Sequence, residues 1–422
     1  MSWQPRSRVL AAALAAAVTV PAVTGTALAV PAAAGTTAAG TARAASSSLV
    51  IWGADTSKIL GPWAGMGNAT RPRPLPIAAS TVASTRIGCS SGYVLTTAGQ
   101  ILAWGDDRVG QLGDGPAHPP QTATPVQVRL PSGAHAMSVQ PGCDHVVAVL
   151  STGKVVAWGQ DDAGQLGDSD PDMKNQSRPV PVSLPGNVTF TQACAGFDYS
   201  AALSATGQVW AWGSNAQGQL GDGTTERQDL APVPVKLPVG TRVAAISCGA
   251  EHTLALTSAG RVLAWGQGDE GALGTGTPRA RSRVPVPVSL PARVRIRAVF
   301  ASVFASMALS TTGQIWTWGD NAEGQLGNGS TVDHSRRPVL VRLPAGTAVR
   351  QISGEAGNGI VLTTTGRILM WGENGIGQLG IGTTSLPRRV PVAVHLPAGQ
   401  TAVSVGTGWD SSDALAITRS RR

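Results

Sequence analysis

An all-β, seven-bladed β-propeller is the fold class this sequence predicts, and three observations predict it. Seven Trp-Gly pairs begin at Trp52, Trp104, Trp158, Trp212, Trp265, Trp318 and Trp371, at intervals of 52 to 54 residues. A Leu-Pro pair keeps the same beat, with Pro131, Pro185, Pro238, Pro291, Pro344 and Pro397 closing segments such as RPVPVSLP and VPVPVSLP. Between these markers every unit carries the same short alternation of apolar and polar residues. A period near 53 residues over most of a chain means one supersecondary unit repeated in an array or ring. It also weakens the case for an enzyme, because a residue present in every repeat is there to build the repeat.

The unit is clearest from Ile246 to Pro291. Thr253 to Thr257 alternates, Ser258-Ala259-Gly260 is a turn whose glycine supplies positive φ, and Arg261 to Trp265 alternates again: a β-hairpin. The hairpin recurs as LTTAGQILAWG, LSTGKVVAWG, LSATGQVWAWG, LSTTGQIWTWG and LTTTGRILMWG. An apolar strand precedes it, as at Val243 to Cys248. A proline-rich extended segment follows, and since proline cannot donate to a ladder, that segment is expected at a sheet edge. Four short antiparallel strands per unit, with no helical periodicity, describe a propeller blade.

The two ends of the repeat region complete one another. SLVIWG at 48–53 is the second half of a hairpin without a first half, and TAVSVGTGWDSSDALAIT at 401–418 supplies two strands without a following Trp-Gly. Joined, they make a seventh blade and remove the free sheet edges that invite aggregation. Leu49 to Trp52 is therefore expected antiparallel to Ala414 to Thr418. The seven repeated tryptophans are expected to be buried structural residues.

These residues carry a resemblance. The pattern G-x-x-H-[ST]-x-x-L-T-x-x-G-x-[VL]-x-x-W-G-x-N-x-x-G-Q-L-G resembles the repeat of the regulator of chromosome condensation family. Gly249, His252, Thr253, Leu256, Gly260, Trp265 and Gly266 match its first half; Trp212, Gly213, Asn215, Gly218, Gln219, Leu220 and Gly221 match its second. The resemblance covers about residues 49 to 418. The first unit is degenerate (WGADTSKILGPWAGMGN), and the fifth reads VFASVFASM where others have Cys-Gly. The resemblance implies a seven-bladed propeller, in agreement with the strand pattern.

Composition sets the surroundings. Residues 1–29 read as a secretory leader: Arg6 and Arg8, then an apolar stretch from Val9 to Val23, then Ala27-Leu28-Ala29 as a cleavage site. Residues 30–48 are Ala, Gly, Thr and Ser, a flexible tether, and 419–422 form a basic tail. The propeller spans 49–418. The formal net charge of +8 falls to +2 once Arg6, Arg8, Arg43, Arg419, Arg421 and Arg422 of the tails are set aside, so nucleic acid is not expected as a partner. Charge is nonetheless uneven, with Arg279, Arg281, Arg283, Arg293, Arg295 and Arg297 crowded near one blade and Asp161, Asp162, Asp168, Asp170 and Asp172 near another. Arginine outnumbers lysine 28 to 4, with heavy use of Ala and Gly, and a GC-rich genome of bacterial origin is the expectation. A secreted monomer that does not span a membrane is the expectation.

Motifs that could carry chemistry resolve into structural ones. G-Q-L-G-x-G at Gly110, Gly164, Gly218, Gly324 and Gly377 is followed by no G-K-[ST], so it is a turn and not a phosphate loop. Asp106, Asp107 and Asp114, and Asp161, Asp162 and Asp168, suit Asx-turns better than calcium. His145 and His252 stand at the start of a strand, where a structural hydrogen bond is the simplest role. Cys89, Cys143, Cys194 and Cys248 sit at roughly equivalent places in four consecutive blades. An exported chain permits disulfides, but the resemblance implies a packing role, since the family repeat often has a small residue or Cys here. Equivalent positions in neighbouring blades are also expected to exceed the Cα spacing a disulfide needs. No cofactor, metal site or catalytic constellation is read.

Function is expected to reside in aromatic residues. Phe and Tyr total only six, and Tyr93, Phe197, Tyr199 and Phe304 fall in connections between the first two strands of a blade, joined by Trp409 in the split blade. Such connections share one face of a ring, and exposed aromatics on a rigid scaffold make a binding hot spot. The expectation is an exported, non-enzymatic scaffold for a protein or cell-surface ligand. Two alternatives stand beside it. One is an inhibitor of an extracellular enzyme, by resemblance to the shorter-bladed secreted β-lactamase-inhibitory propeller; the other is guanine-nucleotide exchange, as for the family's founding member.

Overall fold

Among the described residues the alternating segments fold as twenty-eight strands in seven antiparallel sheets of four, arranged as blades of one ring. The computed structural model describes residues 47–54, 59–61, 65–116, 119–225, 228–407 and 413–420. The leader, the tether up to residue 46 and Trp409 lie outside the described residues. With strands numbered in chain order, β15 (Val243–Cys248), β16 (His252–Thr257), β17 (Val262–Gln267) and β18 (Arg281–Pro287) make one blade from axis to rim. Inner strands of neighbouring blades pack on one another around the axis. The proline-rich fourth strand is outermost, bonded on one side only, and its residues are mostly partly exposed. No helix among the described residues is long and apolar enough to cross a membrane.

The ring closes where the two ends meet. β1 (Ser47–Gly53) runs antiparallel to β28 (Asp413–Ser420), with Leu49 opposite Ile417 and Trp52 opposite Ala414, as the split hairpin predicts. β2 (Ala69–Ala78) lies outside β1, and β27 (Gln400–Thr407) lies inside β28. Thr418 Oγ1 donates to the Ser48 carbonyl at 3.1 Å. Strand β1 begins at Ser47, two residues inside the expected tether, and β28 continues two residues beyond 418.

The repeat markers lock each blade to the one before it. All seven ruler tryptophans are fully buried. Trp158 Nε1 donates to the Gln111 carbonyl, Trp212 to Gln165, Trp265 to Gln219 and Trp371 to Gln325, at 2.8–2.9 Å. The acceptor is thus the glutamine of Gln-Leu-Gly in the preceding blade. The glycine after it must lack a side chain, since a Cβ on Gly221 would stand 2.7 Å from Trp265 Nε1. Even the degenerate first unit keeps the bond, with Ile59 as acceptor for Trp104 at 2.7 Å. The glycine following each tryptophan has its own cause: Gly266 has φ of +94°, and a Cβ there would meet the Glu251 carbonyl at 2.3 Å. That carbonyl accepts the Gln267 N–H at 2.7 Å, tying the third strand to the turn beside it.

The strand directions define two faces. On the upper face lie the turns between first and second strands and the Gly-Gln-Leu-Gly loops between third and fourth. On the lower face lie the hairpin turns between second and third strands and the links from one blade to the next.

Candidate binding face

On the upper face the described connections from first strand into second are short turns, of four residues in each of four consecutive blades. The turn closes with one backbone bond: Gly142 N to His145 O at 2.7 Å, Gly196 N to Tyr199 O at 2.7 Å, Gly249 N to His252 O at 2.7 Å and Ser302 N to Ala305 O at 2.8 Å. The last residue of this turn begins the second strand and points into the neighbouring blade. His145 Nε2 pairs with Ser200 Oγ at 2.8 Å, and His252 Nε2 with Ser306 Oγ at 3.0 Å. Burial pushes the two imidazoles down to about 3 and about 4, so both are neutral struts between blades.

Tyr199 occupies this same slot, which corrects its assignment to a binding surface. It is fully buried, and its hydroxyl donates to the His252 carbonyl at 2.6 Å. A buried position whose outer end lies within hydrogen-bond reach of the neighbouring blade suits a phenol as well as an imidazole, because both carry a polar tip on an apolar body. Tyr93 is likewise buried, inside β4 (Ser91–Thr96) and not in the connection before it. Its hydroxyl donates to the Gln111 carbonyl at 2.8 Å, the atom that also accepts Trp158. Neither tyrosine reaches solvent. Phe304 does, being 39% exposed. Phe197 is half-buried, with part of its ring against the core and its backbone N–H donating to Ala250 O at 2.9 Å. The aromatic set therefore reduces, among the described residues, to Phe197 and Phe304, two blades apart.

The cysteines are also corrected. Cys89 is bonded to Cys143, and Cys194 to Cys248, with Cα separations of 4.7 and 5.6 Å. The expectation of a packing role overestimated the distance: blades fan outward, and their inner strands and upper turns approach closely at the axis. The two bridges join blades at different heights, the first through the turns and the second through inner strands. All four cysteines of the chain are paired.

Carboxylates not singled out from the sequence complete this face. Asp144, Asp198 and Glu251 take the third place of the turn in three successive blades, directly before His145, Tyr199 and His252. Burial first, and neighbouring acids second, push Asp198 up to about 7; the acids are Asp162, Glu251 and Asp144. Burial, with Asp106 nearby, raises Asp144, and burial with Asp269 raises Glu251. Among the described residues none of the three is held in a contact ion pair. The signal that could have found them is the recurrent acid before the His or Tyr of the repeat. Other acids of the face are occupied structurally. Asp107 and Asp161 accept the Leu112 and Leu166 N–H at 2.9 Å, as Asn215 accepts Leu220 at 3.1 Å, which is the role of Asx in these loops. Asp106 is paired with Arg108.

Desolvated carboxylates in a like-charged group, on the face that also carries Phe197 and Phe304, can pair with cationic side chains brought to them. The fold divides the arginine crowd in two: Arg279, Arg281 and Arg283 line one cavity at the outer strand β18, and Arg293 and Arg295 lie on the lower face in the link to the next blade.

Known proteins share this architecture. Residues 109–421 match the family model of the RCC1-like domain. The Ultraviolet-B receptor UVR8 of Arabidopsis thaliana is 33% identical over 332 residues, covering 78% of this chain and 73% of the receptor. The human E3 ubiquitin-protein ligase HERC2 is 31% identical over 376 residues, which are 88% of this chain and only 8% of the ligase. Among solved structures, yeast RCC1 (Prp20) bound to Kap60 superposes with a TM-score of 0.79 at 23% identity, covering 90% of each chain. Human WBSCR16 gives 0.76 at 21% identity, covering 90% of this chain and 99% of its own. At those identities the structures speak for the fold alone. The family match spans most of the chain and falls on the same blades that the tryptophan lock builds: the chain belongs to the RCC1-like propeller family.

Proposed function

We propose that this propeller is an exported, non-enzymatic scaffold that captures a protein through its upper face. The observation that carries the reading is the pairing of partly exposed Phe304 and half-buried Phe197 with Asp144, Asp198 and Glu251, all presented by turns clamped to rigid blades. Turns fixed in this way lose little conformational freedom on binding. The partner that fits presents lysine or arginine side chains around an apolar residue. Export is supported by the leader-like first 29 residues and by two inter-blade disulfides, which persist in oxidising compartments.

The test uses the secreted chain as bait against culture medium and cell-wall extract, beside the Phe197→Ala/Phe304→Ala variant. The expected result is one protein retained by the parent and lost by the variant, with the melting temperature nearly unchanged. Retention by both would place the site elsewhere, and joint loss of binding and stability would make these rings core residues. Fractionating cells that express the chain with and without residues 1–29 tests export: the shortened chain should remain inside.

A further inference from the structure

The lower mouth of the central channel holds a cavity of about 630 Å³. Arg297, Arg350 and Arg419 line it, with Ser47, Thr97 and Gln351 as polar neighbours, and among the described residues no carboxylate lines it. It lies on the opposite face from the surface proposed above and does not depend on that reading.

The way the arginines arrive there is specific. Inner strand β19 (Ile296–Ala301) pairs Ile296 with Ser310 and Ala298 with Leu309, so Arg297 is skipped by the ladder. In β23 (Val349–Gly354) Val349 pairs with Thr363 and Gln351 with Leu362, which skips Arg350 in the same way. A bulge re-aims the side chain of its extra residue, and here the two extra residues of adjacent blades are both arginine. Arg419 comes from the closing strand, opposite Ser47 and Thr401. The corresponding bulge residues across the ring are Met137, Thr191 and Ala244, none of them charged. The cations are thus gathered on one side of the mouth and are not a property of the repeat.

The walls are held in place. Arg297 Nη2 donates to the Val349 carbonyl at 2.8 Å, spanning two blades and leaving its other N–H groups for a ligand. The Gln351 amide is fastened to the next blade, donating to Val405 O at 2.8 Å and accepting Val405 N–H at 3.4 Å. Among the described residues no carboxylate forms an ion pair with any of the three arginines. The surroundings do not offset this charge: the hairpin turns and blade-to-blade links described on this face contain no Asp or Glu. A concave site with one sign of charge focuses potential and attracts counter-ions.

We infer that this cavity binds a small molecule carrying two or three linked phosphoryl groups. Guanidinium forks match phosphate oxygens two by two, and three of them suit an anion with several negative charges. The volume falls within the roughly 300–1,000 Å³ of small-ligand sites, which favours a compact ligand over a polymer lying across the face.

Calorimetric titration of the full chain with inorganic tripolyphosphate at physiological salt tests this, with sulfate at equal ionic strength and a short DNA duplex as comparison arms. One saturable site for tripolyphosphate is expected, with sulfate at least about tenfold weaker. Arg350→Ala and Arg419→Ala should each weaken it by roughly tenfold, as expected for loss of a charge-assisted pair, with unchanged melting temperature. Arg261→Ala/Arg293→Ala, on the same face outside the cavity, should leave it within about twofold. The inference is overturned by no saturable binding, by sulfate binding equally well, by equal loss in the Arg261/Arg293 variant, or by the duplex binding more tightly than tripolyphosphate. If Arg350→Ala lowers the melting temperature, Arg350→Lys, which keeps the charge and loses the fork, decides: unchanged binding by a folded Arg350→Lys protein also overturns it.

Discussion

The two faces of this ring are built from the same strands and differ in what holds them and in what they present. On the upper face, turns are clamped by His145, Tyr199 and His252 reaching into the next blade and by the Cys89–Cys143 disulfide, while the Cys194–Cys248 disulfide ties the upper ends of two inner strands. Its carboxylates stand crowded and partly desolvated. On the lower face, tight hairpin turns carry cations and no acids, and the channel mouth is held by hydrogen bonds such as those of Gln351 and Arg297. A strand has two ends, and the repeat spends its fixed residues unequally on them. The upper end takes nearly every marker, including Trp-Gly, Gly-x-x-His and Gly-Gln-Leu-Gly, leaving only a few turn positions to vary. The lower end needs little beyond a glycine and a proline, so charge can collect there without disturbing packing.

Breaking the part common to both faces should have the largest effect. Trp212→Ala removes a fully buried indole and its bond to Gln165, and a loss of about 3–5 kcal/mol is expected. Hydrogen exchange should rise at both faces of the two blades involved; acceleration confined to one face would show that the lock serves only that side.

Severing a bridge should separate the faces. Cys194→Ser/Cys248→Ser opens a closure of 54 residues, and a loss of about 2–4 kcal/mol is expected. Exchange should accelerate in the upper turns of the two blades while the lower channel mouth stays protected. Equal acceleration at both ends would contradict the unequal clamping described above.

The smallest effect concerns charge alone. The folded pKa of Asp198 lies near 7, above the ordinary carboxylate value, so folding disfavours its ionised form. Its penalty is complete above pH 7 and is relieved as pH falls from 7 toward 4, because the folded state then holds a proton that the unfolded state has lost. Asp198→Asn should therefore raise the melting temperature by about 1–3 °C at pH 8 and have no effect near pH 4. A gain of equal size at both pH values would trace the change to packing.

The architecture was legible because its cause is local and repeated. Trp212, Gly213, Gln219 and Gly221 recur as a set, and each is required by a contact that every blade makes with its neighbour. The split blade was legible for the same reason, as half a hairpin at each end of the repeat. The candidate site was legible only in part. Phe304 reads correctly as an exposed turn residue, whereas Tyr93 and Tyr199 stand within one residue or two of similar turns and face the core. A strand boundary decides their orientation, and alternation does not place a boundary to better than a residue or two.

By itself, then, the sequence determined the number of blades, the strand order within each and the way the ring is sealed, since all of these follow from periodic, nearest-neighbour packing. Tertiary structure alone decided which cysteines meet, which aromatics are struts, and that Arg297, Arg350 and Arg419 share one cavity. Those outcomes depend on distances between residues about one repeat apart or at opposite ends of the chain, and such distances exist only once the blades have closed around a common axis.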